Sequence, residues 1–131
     1  MRAVRLSDAL KAPPEAWAEI RSGTAPHLWG SVRFHPWSRG AIVRSEFVNL
    51  PEPCRYYLKL PQDETEKTYG MARRMPRFFP DNGYSLFLFY ADRITPEDLT
   101  GKKLLLCSPG TEGEPPAVIG EGIIRGKNYR R

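Results

Sequence analysis

Apolar and polar residues alternate along many short segments of this chain. Within residues 41–48, the even-numbered positions share one predicted face, and the odd-numbered positions, including Val43 and Phe47, share the other. A period of two residues is typical of a β-strand, because successive side chains point to opposite sides of a sheet. The whole pattern predicts eight strands, at residues 16–21, 30–35, 41–48, 55–60, 75–79, 84–91, 103–107 and 117–124.

Turn residues separate these strands. The chain has 13 prolines and 11 glycines, which interrupt long helices and favour short strands joined by tight turns. Residues 38–40 predict a hairpin between the second and third strands. Asn82 and Gly83 predict another between the fifth and sixth, because both residues tolerate the positive φ angles that such turns require.

Two single helical turns complete the predicted secondary structure. One runs from Ser7, as N-cap, to Lys11, and the other has Thr95 as N-cap, Pro96 in the first helical position and Gly101 at its end. The predicted core draws on apolar side chains from four of the strands, namely Phe47, Leu58, Leu60, Leu86, Leu88, Leu104 and Leu106.

The length of 131 residues, 40% of them hydrophobic, suits one domain that buries its core without metals or disulfides. We expect an amino-terminal extension at residues 1–15, a β-sandwich at residues 16–125 and a basic tail at residues 126–131. Eight short strands with regular turn signals favour an all-β fold, an eight-stranded Greek-key sandwich or barrel.

Net charge and cysteine content bear on the cellular compartment, but they do not identify a partner. The net charge of +5 is modest and lies partly in the basic tail. No apolar run is long enough to cross a bilayer, so we expect no membrane partner. The amino terminus is too charged for a secretory leader, which predicts a cytoplasmic protein, with export only if a preceding leader has been removed. Cys54 and Cys107 are expected to stay reduced.

Four segments carry a resemblance to a known family: residues 30–34 with 39–40 and 49–51, residues 79–84, residues 89–95 and residues 101–106. Each segment alone has low specificity. Their order and spacing are similar to those of a bacterial branch of the copper/zinc superoxide dismutase family, over residues 16–124. The resemblance implies a Greek-key β-sandwich of that type with shortened metal-site loops, and it also implies pairing of two copies through exposed sheet edges.

The resemblance also identifies where the family holds its metals. That family binds copper and zinc through six histidines and one aspartate, because these cations prefer nitrogen donors. Here Lys59 and Pro61 stand at two copper-histidine positions, where an ammonium repels a cation and proline offers no side-chain donor. Met71 and Arg74 stand at a zinc-histidine and the zinc-aspartate position, and Cys107 stands at a further copper-histidine position.

Other parts of the family's site are also replaced. The two histidines of this chain, His27 and His35, both precede the segments in which the family places its ligands. The loop of the bridging histidine is mostly deleted between residues 62 and 75. Val118 falls near the superoxide-guiding arginine, and Glu121 falls near the second half-cystine of the family's disulfide. The resemblance therefore implies no copper, zinc or other cofactor and no dismutase activity.

The first functional hypothesis is a metal-free, non-catalytic binding or scaffold module. It acts on an unknown protein or anionic partner through the remodelled loop at residues 62–77. The second hypothesis is an enzymatic role, in which Cys107 performs thiol-dependent chemistry assisted by Lys59, because a nearby ammonium favours the thiolate. Its alternative is that Cys107 merely fills the space that copper occupies in the family.

The third hypothesis is binding of nucleic acid or another polyanion. Arg73, Arg74 and Arg77 have Tyr69 before them and Phe78 and Phe79 after them, and such a surface can bind phosphates and stack on bases, with help from the basic tail. The alternative is a solvated loop whose aromatic rings pack inward. The tryptophans of the amino-terminal part are likewise either an exposed ligand platform or packing residues.

Overall fold

The computed structural model describes residues 5–51, 55–60, 76–109 and 117–127. A short helix, α1 (Leu6–Lys11), precedes the strands, and a 3-10 helix (Pro96–Leu99) lies between the fifth and sixth. The strands are β1 (Ala16–Arg21), β2 (Trp29–Trp37), β3 (Gly40–Val48), β4 (Tyr57–Lys59), β5 (Ser85–Asp92), β6 (Lys103–Ser108), β7 (Ala117–Ile123) and β8 (Arg125–Gly126).

Local sequence determines the hairpin between β2 and β3. Between the end of β2 at Trp37 and the start of β3 at Gly40, Ser38 has the positive φ of 54° that tight turns require. A Cβ on Gly40 would lie 2.0 Å from the carbonyl oxygen of Ala91, so only glycine fits where β3 passes β5. The predicted turn at residues 38–40 is confirmed.

The turn before β5 is also as predicted. Asn82 and Gly83 have φ angles of 53° and 81°, and the backbones of Asp81 and Tyr84 pair across the turn. A hairpin built on a full strand at residues 75–79 is not present, however.

Within residues 76–79, backbone pairing is limited to Phe78, which exchanges hydrogen bonds with Tyr56. The predicted fifth strand is therefore wrong over these residues, and Met75 lies outside the described part of the chain. Pro76 and Pro80 flank Phe78 and have no backbone N–H, so a longer ladder loses donors on both sides.

The helical turns match the prediction in place but not in capping. Helix α1 begins at Leu6 with Arg5 at the N-cap position, so the prediction of Ser7 as N-cap is wrong. The 3-10 helix has Thr95 at its N-cap and Pro96 in its first turn, as predicted, although Thr95 makes no side-chain cap hydrogen bond. Gly101 follows with a φ of 88°.

The strands form one antiparallel sheet that curls into a half-barrel, which confirms the all-β class. The path through the sheet is β4-β6-β7-β1-β2-β3-β5, with β8 pairing β1 beside it. Strands β1, β2 and β3 are neighbours both in the chain and in the sheet. The connections from β3 to β4 and from β5 to β6 instead run between opposite ends of the path.

The core lies on the inner side of the curled sheet. Five of the predicted core residues are buried there: Phe47, Leu58, Leu60, Leu104 and Leu106. Leu86 and Leu88 are not, since they face outward and are 46% and 41% exposed, so the prediction for them is wrong.

Phe87 and Phe89 take the inward positions of β5 instead and pack against the buried cluster. The ring of Phe78 stacks on Phe87 and on Phe47, with centroid distances of 5.8 and 5.7 Å. Every residue from 86 to 89 is apolar, so either face of β5 can turn inward, and the larger aromatic rings fill this part of the core.

Helix α1 packs on the outer face of β2. Ala9 and His35 are both buried at this contact, so the amino-terminal segment covers part of the sheet's outer surface. Among the described residues, no helix is long and apolar enough to cross a bilayer.

Candidate functional site

Strands β4 and β6 bring two of the predicted site residues, Lys59 and Cys107, onto one face of the sheet. Their antiparallel register places Tyr57 opposite Cys107, Leu58 opposite Leu106 and Lys59 opposite Leu105. Leu58 and Leu106 are buried in the core, so the alternate residues Tyr57, Lys59 and Cys107 lie on the outer face. Cys107 lies directly opposite Tyr57 and diagonal to Lys59, whose ammonium is close enough to act on the thiol.

Tyr57 joins this cluster although the sequence analysis did not single it out. The register places Tyr57 directly opposite Cys107, and its phenol lies close enough to the sulfur for each group to affect the pKa of the other. Burial raises the pKa of Tyr57, the charge of a Cys107 thiolate adds to that rise, and the nearby Arg77 guanidinium opposes it. The period-two alternation of residues 55–60 was the available signal, because it puts Tyr57 on the same face as Lys59.

Cys107 is a buried thiol. Its residue is 3% exposed, and burial raises the pKa of the thiol, whereas the Lys59 ammonium and the Tyr57 hydroxyl act in the opposite direction. A reactive cysteine requires a lowered pKa and access to solvent. The net direction at Cys107 is therefore opposite to the one that thiol-dependent catalysis needs.

The donor set of this cluster does not fit copper or zinc. Cys107 offers one soft donor, but Lys59 and Arg77 are cations that repel a metal ion, and Tyr57 is a protonated phenol at neutral pH. Within the described ranges, no three histidine, cysteine, aspartate or glutamate side chains lie close enough together to hold a metal.

The remaining predicted site residues are only partly covered by the structure. Pro61, Met71, Arg73 and Arg74 lie outside the described residues. Arg77 is exposed and precedes Phe78, whose backbone pairs with Tyr56, so it lies close to the β4 end of the cluster. Polyanion binding through these arginines stays a prediction.

The two histidines lie apart from the cluster and have different surroundings. His27 is exposed in the turn before β2, whereas His35 is 3% exposed beneath α1. Burial lowers the pKa of His35, and the positive charges of Arg33 and Arg44 add to that, while hydrogen bonding to the backbone of Ala9 and Ala12 opposes it.

A cleft of about 410 Å³ opens at the turn before β2. Its lining includes Asn49, whose side-chain amide donates to the carbonyl of His27 at 2.8 Å, and Leu50, whose N–H donates to the carbonyl of Gly83 at 2.9 Å. These bonds hold three turns together, and His27 is the one titratable side chain in the lining. We assign no chemistry to this cleft.

The outer faces of β2, β3 and β5 hold features that sequence analysis also missed. Trp37 packs edge-on against Tyr90 at a centroid distance of 5.6 Å. Four apolar or aromatic side chains in or just before β5 remain exposed beside them: Tyr84, Leu86, Leu88 and Tyr90.

Comparison with known proteins adds no relative. Neither a scan against protein-family models nor a search among curated proteins gives a match to this chain.

Proposed function

We propose that this chain is a metal-free, non-catalytic domain with the copper/zinc superoxide dismutase fold, serving as a binding or scaffold module for a protein or anionic partner. The observation that carries the proposal is the side-chain set on the outer face of β4 and β6. Tyr57, Lys59 and Cys107 lie close together there near Arg77, and the resemblance assigns the positions of Lys59 and Cys107 to copper ligands.

The strand order supports the fold assignment. Strands β1 to β3 are consecutive hairpins, while β4 and β5 lie at opposite ends of the path, and β7 returns to pair with β1. Connections of this kind, from one end of the strands to a non-adjacent partner, are what distinguish Greek-key sheets from simple meanders. The pairing of Phe78 with Tyr56 places Phe78 next to the start of β4.

The charges at the cluster support the loss of redox chemistry. Copper requires several neutral imidazoles or thiolates converging on one point. This surface offers two cations and a thiol whose pKa is raised, so a bound cation meets repulsion and no adequate ligand set.

The same charges favour an anionic partner. Lys59 and Arg77 are both exposed beside the half-buried phenol of Tyr57. Two accessible cations next to an aromatic ring can bind a carboxylate or phosphate and stack on an apolar group. A binding role therefore needs no further residue from outside this surface.

Copper binding in matched variants tests the proposal. The double variant Lys59→His, Cys107→His places two imidazoles on adjacent strands of the same face, where their spacing allows both to reach one ion. We expect it to bind Cu²⁺ at least about 10-fold more tightly than the wild type in calorimetric titration, a gain of about 1.4 kcal/mol.

Two results contradict the proposal. One is a wild-type chain that binds one copper or zinc ion per molecule and dismutes superoxide. The other is wild-type binding that disappears with Cys107→Ala, since it shows that the present residues already form a metal site.

A further inference from the structure

The exposed side of β5 has a symmetrical pattern of side chains. Reading along its outward positions, Tyr84 precedes Leu86, Leu88 and Tyr90, so the order is the same in both chain directions. Their exposed fractions run from 39% for Tyr90 to 46% for Leu86. Contiguous exposed apolar side chains of this kind mark surfaces that another molecule covers.

The neighbouring strand carries charges that complete the symmetry. In the register of β3 and β5, Arg44 lies opposite Leu88 and Glu46 lies opposite Leu86, while Ser45 and Phe87 form the pair between them. Within the described part of the chain, Arg44 makes no ion pair, and Glu46 accepts a hydrogen bond from the Tyr84 hydroxyl at 2.7 Å.

We infer that the outer face of β3 and β5 binds the same face of a second copy of this chain. The two copies are related by a two-fold axis that runs midway between the two faces, perpendicular to the strands. It passes over the Ser45–Phe87 pair. This axis places Leu86 of one copy over Leu88 of the other and Glu46 over Arg44. Each copy then offers apolar groups to apolar groups and opposite charges to each other.

The geometry selects this face-to-face arrangement over an edge-to-edge one. Pairing two β5 edges also brings the leucines near each other, but it leaves Glu46 and Arg44 of the two copies far apart, with β5 of both copies between them. Packed sheet faces lie about 10 Å apart, which is about the diameter of a helix. A helix fills that whole space, so α1 excludes β2 from the contact and limits it to the outer faces of β3 and β5.

A second copy also suits this surface better than other partners. Beside Arg44, a nucleic acid would also meet Glu46 and two leucines at the centre of the face, and these side chains offer a phosphate no donor. A different protein has no reason to require a pattern that repeats in both directions, whereas a two-fold contact requires it.

The size of the face sets the expected strength of the dimer. Strand β5 has eight residues, so the face is about 27 Å long, and two strands make it about 10 Å wide. Stable complexes usually bury about 800 Å² on each partner. The contact is smaller than that, so we expect a weak, concentration-dependent dimer.

Sedimentation velocity of the full chain between about 1 µM and about 1 mM tests the inference. The sedimentation coefficient should rise from that of a monomer toward that of a dimer. Leu88→Asp should abolish the rise, and Val118→Asp, at a 57% exposed apolar position on β7, serves as the matched control that should leave it unchanged.

Exchanging the charges of Arg44 and Glu46 is a more specific test of this interface. Arg44→Glu and Glu46→Arg each bring like charges together across the two-fold axis, so each variant alone should dimerise at least about 10-fold more weakly. An equimolar mixture of the two, and the double variant R44E/E46R, should recover the dimer because opposite charges meet again. Circular dichroism confirms that each variant is folded.

Three outcomes overturn the inference: a wild-type chain that stays monomeric at every concentration, a dimer that survives Leu88→Asp, or a mixture of the two charge variants that gains nothing over either alone. The first leaves the face to a different partner, and the second places the dimer contact elsewhere. None of these results bears on metal binding at Cys107, so the inference and the proposed function fail separately.

Discussion

The pKa of the Cys107 thiol depends on the balance between its burial and its two polar neighbours. Lys59 and Tyr57 both favour the thiolate, yet burial outweighs them and raises the thiol pKa. The resemblance suggested an activated thiol because it places Lys59 near Cys107, but it does not report how much water reaches the sulfur. This is why the site's members could be predicted in part while its chemistry could not.

Thiol labelling tests this reading of Cys107. In a Cys54→Ser background, Cys107 should react with a disulfide reagent at pH 8 at least about 100-fold more slowly in the folded protein than in denaturant, because labelling requires local opening. The rates are measured by absorbance. Labelling at the denatured-state rate that slows when Lys59→Met is added contradicts the reading and supports a reactive thiol instead.

His35 is the other residue whose environment could not be predicted from the sequence. It is buried beneath α1, and its Nδ1 has no hydrogen-bond partner among the described residues. Burial lowers its pKa in the folded state, so the unfolded chain, with a pKa of about 6.5, binds the proton more readily. Stability is therefore full above pH 6.5 and is lost as pH falls below it.

Chemical denaturation between pH 7.5 and pH 5 measures this effect. The free energy of unfolding should fall by up to about 1.4 kcal/mol per pH unit below pH 6.5, and His35→Phe should remove that part of the slope. His27→Gln is the control, because His27 is exposed, and its slope should match the wild type. Equal slopes in the wild type and His35→Phe contradict the assignment.

Strand β5 shows what a hydrophobic pattern can and cannot predict. Its existence and the turn before it followed from Asn82-Gly83 and the apolar run after them. Its orientation did not, because residues 86 to 89 are all apolar and a two-residue period assigns no face to such a run. By contrast, β3 alternates clearly, and both of its faces were predicted correctly.

Strand β7 depends on close backbone approach, which its sequence marks only by glycine. A Cβ added to Gly122 would lie 2.0 Å from the carbonyl oxygen of Glu19 on β1. We expect Gly122→Ala to destabilise the protein by about 1–3 kcal/mol, because the strands must move apart to admit the methyl group.

Gly23→Ala is the matched control for β7, since nothing lies within 4 Å of the added Cβ there. Thermal unfolding of both variants measures the difference. A Gly122→Ala protein as stable as the Gly23→Ala protein shows that β7 does not lie this close to β1.

At the scale of the whole molecule, the sequence determined the class of fold more firmly than the order of strands. Turn residues and alternation predicted short antiparallel strands, and the hairpin from β2 to β3 followed directly. The pairings of β4 with β6 and of β7 with β1 join segments far apart in the chain. Periodicity carries no information about such partners, so these pairings were not predicted.

The candidate site could likewise be predicted only in part. The resemblance predicted that Lys59 and Cys107 lie near each other, and the β4–β6 register makes them diagonal neighbours on one face. The contribution of Tyr57, the burial and raised pKa of the Cys107 thiol and the symmetrical face of β5 depend on burial and register, which no local motif encodes. The exposed leucines became visible as a surface only after the sheet assigned Phe87 to the core.

The central claim is that the surface of β4 and β6 cannot hold copper or zinc, and metal content tests it most directly. The full chain is purified, incubated with equimolar copper and zinc, passed through gel filtration and examined by elemental analysis, alongside Cys107→Ala. We predict far less than one ion of either metal per chain, with no difference between the two proteins. One ion per wild-type chain that is lost in Cys107→Ala contradicts the claim.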